Sequence, residues 1–154
     1  YLDARTVRIL SLHKNIISIK YATWELKNLE ESQRLCEKQI SEDNFFLYSG
    51  DDASSCEFMK RGGHGTISVS SNIVPKLISE MTELAISKSK EAEKINKKID
   101  ALNEILFVES NPIPVKYALY LMDLAPLGIR LPLTVLDQKY RDNLKQELIK
   151  LQLI

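Results

Sequence analysis

The 154-residue sequence has few of the residues that build metal centres and disulfide frameworks, since it contains only two cysteines and two histidines. Cys36 and Cys56 lack the spacing of a metal site and are too few for a disulfide scaffold. An excess of charge of either sign is also missing, because 21 Lys and Arg residues balance 21 Asp and Glu residues. Phosphate contacts need clustered positive charge, so this balance argues against nucleic-acid binding.

Long hydrophobic runs are absent too. No apolar stretch approaches the roughly 20 residues that span a bilayer, which excludes a membrane-spanning helix. What is present is the balance of a globular protein, with 44% hydrophobic and 27% charged residues. We therefore expect one ordinary domain with a real core, in a reducing compartment such as the cytoplasm. Because the chain opens at Tyr1 without Met or a leader, we also expect it to be part of a longer polypeptide.

Three short apolar runs in the first half predict β-strands, at residues 16–19, 45–48 and 66–69. Each is nearly continuous in apolarity and rich in β-branched or aromatic residues, which is typical of a strand buried on both faces of a parallel sheet. Helical spacing over residues 25–39 and 53–60 separates the runs, and this order predicts parallel strands with right-handed crossovers. Three such strands leave both sheet edges unpaired, a second indication that sequence is missing.

The second half of the sequence is helical in pattern. Pro75 suits the first turn of a helix, and apolar residues follow it at helical spacing. Further helices are predicted over residues 89–108, 115–124 and 137–151, the last one capped by Asp137. The fold class predicted from the residues is thus an α/β part followed by a helical part.

The carboxyl ends of the strands are where parallel α/β folds place their chemistry. The first strand ends in Lys20, which alternation places on the opposite face from Ile19. Such a lysine either reaches solvent or lies partly desolvated, and desolvation favours the neutral amine that can form an imine with a carbonyl compound. From the pattern alone, the lysine that reaches water is the better interpretation.

Two glycine-containing turns also have competing interpretations. After the second strand, Gly50 could let an anionic ligand approach the backbone, or it could belong to a plain turn in which Asp51 or Asp52 caps the next helix. The plain turn is the better interpretation. The Gly-Gly-His-Gly run over residues 62–65 precedes a strand, whereas a phosphate loop follows one, so we expect a tight turn with His64 as a loop residue.

Five segments carry a resemblance to a known family. They are NIISIKYAT (15–23), YSGDDA (48–53), GGHGTISVSSN (62–72), LFVESNPIPVKYAL (106–119) and IRLPLT (129–134). Together they resemble the C-terminal half of the pyruvate-dependent class I aldolases, the family of dihydrodipicolinate synthase and N-acetylneuraminate lyase, and they look more like the synthase branch. The likeness runs along essentially the whole chain in order.

The resemblance implies a fold. Residues 1–88 would be the C-terminal portion of a TIM (β/α)8 barrel, with the three strands as its sixth, seventh and eighth. Residues 89–154 would form the C-terminal α-helical domain. The family's other pyruvate-binding residues and its lysine-feedback site would lie in a half that precedes this chain.

The resemblance also implies a chemistry. Lys20 would form the Schiff base with pyruvate, and Gly50 and Ile67 would line the pyruvate pocket, Ile67 through its backbone carbonyl. The family reaction condenses the pyruvate enamine with aspartate semialdehyde on the diaminopimelate route to lysine, without a metal ion or organic cofactor. Family members are commonly homotetramers, and Leu26 would lie near a subunit contact.

Departures from the family pattern keep alternatives open. Tyr21 and Trp24 stand where the family has an acidic residue and a glycine, and we expect these aromatics to narrow the pocket or change the second substrate. The chain could therefore belong to another pyruvate aldolase, such as a sialate or keto-deoxy-sugar lyase. It could also be an inactive fragment that keeps only assembly surfaces.

Overall fold

The computed structural model describes residues 2–154, so Tyr1 lies outside the described part. A small parallel sheet occupies the first half of the chain, with strands β1 (Ser18–Tyr21), β2 (Phe46–Ser49) and β3 (Gly65–Thr66) in that spatial order. The register sets Lys20 beside Tyr48, and Tyr48 beside Gly65. The predicted parallel β-α-β-α-β arrangement is confirmed.

Four helices accompany the strands: α1 (Ala4–Leu10), α2 (Lys27–Leu35), α3 (Glu37–Ser41) and α4 (Ser55–Lys60). The single helix predicted over residues 25–39 is wrong, because the chain breaks at Cys36, where φ is −105° and ψ is 14°. After α4, Gly62 adopts a φ of 93°. A left-handed residue of this kind commonly ends a helix, and it begins the tight turn predicted over residues 62–65.

The third strand is shorter than the predicted span of residues 66–69. The carboxylate of Asp52 accepts the backbone N–H groups of Val69 and Ser70, at 2.8 and 3.1 Å. These amides are therefore withdrawn from the strand ladder. The chain turns away from the sheet into a 3-10 turn over Ser70–Asn72.

Helices make up the regular structure of the second half: α5 (Pro75–Ile86), α6 (Glu91–Ile105), α7 (Ile113–Leu121) and α8 (Gln138–Lys150). Asp137 caps α8 as predicted, accepting the N–H of Lys139 at 3.0 Å. Helix α7 begins before residue 115 because Pro114 fits the first helical turn. In residues 2–154, no helix combines the length and the apolarity needed to cross a membrane. The domain boundary between residues 88 and 89 stays a prediction.

One apolar core joins the sheet to the helices. Leu47 and Phe58 of the first half belong to the same buried cluster as Met81, Leu102 and Leu144 of the second. An ion pair between Lys60 of α4 and Glu93 of α6 adds a surface link between the two halves. The helices cover only one face of the sheet, so the prediction of strands buried on both faces is wrong for this chain.

The open sheet edges generate the first prediction. Within residues 2–154, β1 and β3 each have one side without a strand partner, and unpaired backbone groups promote association. We expect the isolated 154-residue chain to form oligomers or aggregates, measured by light scattering after size-exclusion chromatography. Ile17→Lys, at an exposed site beside β1, should reduce this association, whereas Ile154→Lys, outside the sheet, should not. A monodisperse monomer would contradict the prediction.

Candidate active site

Lys20, Gly50 and Ile67 lie side by side at the carboxyl edge of the sheet. Lys20 is in β1, Gly50 follows β2 and Ile67 follows β3. Backbone hydrogen bonds fix this edge, since the Gly50 N–H donates to the Tyr21 carbonyl at 2.6 Å and the Ile67 N–H donates to the Ser49 carbonyl at 2.7 Å. The strand pairing therefore brings together three residues that come from separate segments of the sequence.

The aliphatic chain of Lys20 passes directly over Gly50. A Cβ atom at residue 50 would lie 2.8 Å from Lys20 Cγ and would overlap Lys20 Cε. The φ angle of Gly50 lies outside the left-handed region, so space and not backbone conformation calls for glycine here. The group that approaches the backbone here is the lysine side chain, and the approach of an anionic ligand to Gly50 stays a prediction.

Lys20 is an exposed residue in this chain. None of the ion pairs found within residues 2–154 includes it. A groove of about 240 Å³ beside it is lined by Leu2 and by residues 19–23. In this chain Lys20 thus reaches water, the interpretation that the strand pattern alone favours, because three strands with helices on one face leave the other face open.

The backbone of Ile67 offers an acceptor at the same edge of the sheet, two strands away from Lys20. Its N–H is bonded to Ser49, but its carbonyl accepts no hydrogen bond from the described part of the chain. The side chain of Ile67 is 51% exposed. The role in binding pyruvate that the resemblance implies for this carbonyl stays a prediction.

The plain-turn interpretation predicts that Asp51 or Asp52 caps helix α4, but neither side chain does so. Helix α4 follows Ser54 and has no side-chain cap. Asp51 Oδ2 accepts the backbone N–H of Ser54 at 3.0 Å and its hydroxyl at 2.5 Å, within the same loop. Asp52 is buried and bonds instead to the segment after β3.

A buried link continues from that segment into the helical half. The Ser70 hydroxyl donates to Asn103 Oδ1 at 2.6 Å, and Asn103 is 2% exposed within α6. Ser70 is therefore held by Asp52 through its backbone and by Asn103 through its side chain. Sequence reasoning missed both contacts, because neither partner lies near Ser70 along the chain.

Tyr21 packs on the opposite face of the sheet from Lys20. Its side chain is buried, its hydroxyl shares a 2.6 Å hydrogen bond with the Ser32 hydroxyl, and its ring centroid lies 6.1 Å from that of Phe58. The Tyr21 side chain is therefore turned into the core, and its effect on the pocket stays a prediction. Trp24 differs, since it is 74% exposed in the loop that follows β1.

His64 has a structural contact that the sequence did not reveal. Its Nδ1 accepts the Leu47 N–H at 3.0 Å, and its own backbone N–H donates to the Leu47 carbonyl at 2.8 Å. These bonds join the start of β3 to β2. His64 thus belongs to the sheet scaffold and lies away from the carboxyl edge.

Comparison with known proteins identifies the family. Residues 1–151 match the dihydrodipicolinate synthetase family. The chain belongs to this family. It is 47% identical over 142 residues to the 4-hydroxy-tetrahydrodipicolinate synthase of Methylococcus capsulatus, covering 92% of this chain and 47% of the relative. It is 46% identical over 151 residues to the synthase of Psychromonas ingrahamii, covering 97% of this chain and 50% of the relative.

Solved structures of the dihydrodipicolinate synthetase family confirm the fold class. The chloride-inhibited dihydrodipicolinate synthase from Acinetobacter baumannii, complexed with pyruvate, matches with a TM-score of 0.89 and 42% identity. The match covers 99% of this chain and 51% of that one. This chain therefore has the fold of part of a TIM barrel with its C-terminal helices, and it spans about half the length of the relatives it matches.

The environment of Tyr21 generates the second prediction. Burial raises the pKa of the Tyr21 phenol, and the hydrogen bond with Ser32 lowers it by less. Because the folded pKa then exceeds the unfolded value of about 10, the stabilisation is complete below about pH 10 and is lost as pH rises through the folded pKa. Tyr21→Phe should destabilise the fold by about 1 kcal/mol at neutral pH and flatten the loss of stability above about pH 10.

Urea unfolding at neutral and alkaline pH measures both effects. Tyr120→Phe is the matched control, because Tyr120 is 38% exposed. We expect this control to keep the pH dependence of the parent. An unchanged alkaline slope in Tyr21→Phe would contradict the assignment.

Proposed function

We propose that this chain carries the Schiff-base lysine and part of the pyruvate pocket of a synthase that condenses pyruvate with aspartate semialdehyde in lysine (diaminopimelate) biosynthesis. The observation that carries the proposal is the close approach of Lys20 to Gly50 in a chain of this family, at a sheet edge where the Ile67 carbonyl accepts no hydrogen bond from the described residues. The activity also requires the half of the relatives that this chain does not match.

In the proposed reaction, the neutral Nζ of Lys20 attacks the keto carbon of pyruvate. A carbon–nitrogen bond forms and the keto oxygen leaves as water, which gives an imine. The imine withdraws electrons, so the methyl group releases a proton and becomes an enamine carbon. That carbon then bonds to the aldehyde carbon of the second substrate, while the aldehyde C=O double bond becomes single, its oxygen takes up a proton and the enamine returns to an imine. Water or an amine then displaces Lys20 from this imine and releases the product. The imine itself is the electron sink, and the proposal calls for no metal ion or organic cofactor.

The first step needs an uncharged amine in a site that excludes water. Lys20 is exposed in this chain, on the sheet face that the helices leave open. We propose that the remaining barrel strands cover this face in the complete enzyme. The likeness also supports assembly as a homotetramer, for which Leu26, half-buried at the start of α2, is the candidate contact residue.

Two other functions are each favoured by one observation. The exposure of Lys20 favours an inactive fragment that retains only assembly surfaces. The exposure of Trp24 in the loop after β1 favours another pyruvate aldolase with a different second substrate, such as a sialate or keto-deoxy-sugar lyase. Turnover of aspartate semialdehyde compared with these sugar acids separates the aldolases.

The third prediction concerns the imine. We would place the unmatched part of the Methylococcus capsulatus synthase ahead of this chain, add pyruvate and reduce with borohydride. Hydride addition to the imine carbon leaves a stable secondary amine, which peptide mass spectrometry locates. We expect the adduct at Lys20 in the fusion, and none in the 154-residue chain alone, because the open face admits water.

Two variants sharpen this test. Lys20→Arg should abolish the adduct, because the guanidinium remains charged and does not attack the ketone. Lys76→Arg, at an exposed site on α5, should leave the adduct unchanged. A fusion that folds but carries no pyruvate at Lys20 would overturn the proposal and leave the inactive fragment.

The fourth prediction concerns the space beside Lys20. Gly50→Ala should displace the lysine side chain, because the added methyl group overlaps its path. The Lys20 side chain must move from its Cγ outward, but Lys20 is exposed and can turn into solvent. We therefore expect the free energy of unfolding to change by less than about 1 kcal/mol. Imine formation should fall by roughly tenfold or more, since a small misplacement of a reacting group is costly. Equal rates in the parent fusion and the variant would rule out this role for Gly50.

A further inference from the structure

The buried carboxylate of Asp52 takes no part in the reaction proposed above. Asp52 is 2% exposed, and its Oδ2 accepts the N–H groups of Val69 at 2.8 Å and Ser70 at 3.1 Å. One carboxyl oxygen thus accepts two consecutive backbone N–H groups. Asp52 is therefore an attachment point that joins the end of β2 to the segment following β3.

Ile67 lies between two such attachment points. On one side, its own N–H is bonded to the Ser49 carbonyl at 2.7 Å. On the other side, the Val69 N–H is bonded to Asp52. Only the peptide groups between these two bonds can turn, so the direction of the Ile67 carbonyl depends on both. Without the Asp52 attachment, the segment after Ile67 is held only by the Ser70 hydroxyl and by bonds within its own turn.

Other hydrogen bonds also hold the segment that follows Ile67. The Ser68 hydroxyl accepts the Ser71 N–H at 2.9 Å, and the Ser71 hydroxyl donates to the Ser68 carbonyl at 2.8 Å. Ser70 is tied to Asn103 of α6 by its hydroxyl. These contacts close the turn on itself and attach it to the helices, whereas Asp52 attaches it to the end of β2.

We infer that Asp52 is a positioning residue, whose carboxylate holds residues 67–70 so that the Ile67 carbonyl faces pyruvate bound at Lys20. This inference rests on the proposed function, because the pyruvate pocket is itself proposed. Asp52 acts through the backbone and does not touch the substrate. The neighbouring Asp51 bonds only within its own loop and offers a matched comparison.

The test compares Asp52→Ala, Asp52→Asn and Asp51→Ala in the fusion protein. Asp52→Ala should raise KM for pyruvate about tenfold with a smaller effect on kcat, because a displaced lining group weakens substrate binding. Asp52→Asn keeps an acceptor oxygen for both N–H groups and should stay within about threefold of the parent. Asp51→Ala should stay within about twofold, since it leaves residues 67–70 in place.

Amide hydrogen exchange of the same variants provides a readout that does not need activity. Asp52→Ala should speed exchange at Val69 and Ser70, and Asp51→Ala should not. Unchanged exchange at these amides overturns the inference by itself. A parent fusion that forms the Lys20 adduct, together with an Asp52→Ala variant of unchanged KM, overturns the inference and leaves the proposed function. If the parent fusion forms no adduct at Lys20, the proposed function is overturned, and so is the role of Asp52 in positioning a pyruvate-binding carbonyl.

Discussion

The backbone hydrogen bonds along the carboxyl edge of the sheet are the constraint on which the candidate site depends. The bond from Gly50 to Tyr21 and the bond from Ile67 to Ser49 set which residues become neighbours. A slip of one residue in β1 would exchange the two faces of that strand. Tyr21 would then meet the open face, and a charged lysine would enter the apolar core. The core therefore enforces the register that places Lys20 beside Gly50.

The two faces of the sheet have different roles, since one packs against the helices and the other carries the candidate reacting lysine. On the covered face, Leu47 and Ser49 are fully buried. Phe46 and Tyr48 alternate with them and are only half-buried, on the same side as Lys20. The alternation of side chains along a strand makes this division possible within a few residues. The sheet that carries the candidate site is thus packed on one face only. Further strands are needed to cover its other face.

Much of the fold was predictable because the signals are local. Strand order, the start of α5 at Pro75 and the Asp137 cap follow from alternation, helical spacing and cap chemistry within a few residues. That Lys20 and Gly50 lie close together was predictable from the rule that the carboxyl ends of parallel strands lie at the same edge of a sheet. The burial of Tyr21 could also have been predicted from the sequence, since Tyr21 shares a strand face with Ile19.

The remaining features depend on partners that are distant in sequence. Asp51 and Asp52 look alike in the sequence, and only the folded chain brings one of them to Val69, 17 residues away. The contact of His64 with Leu47 spans the same separation. The exposure of Lys20 depends on what covers the open face, which no pattern within these 154 residues determines.

The bond between Ser70 and Asn103 has a consequence for how the two halves can evolve. It ties the loop beside the candidate site to a helix that carries none of the reacting groups. A recombination event that joined this barrel segment to helices from a distant homologue would preserve every reacting residue, yet it would separate a buried donor from its acceptor. Recombinants with a crossover point between residues 70 and 103 should therefore fold less often than recombinants with a crossover point elsewhere. The two residues should be inherited as a pair.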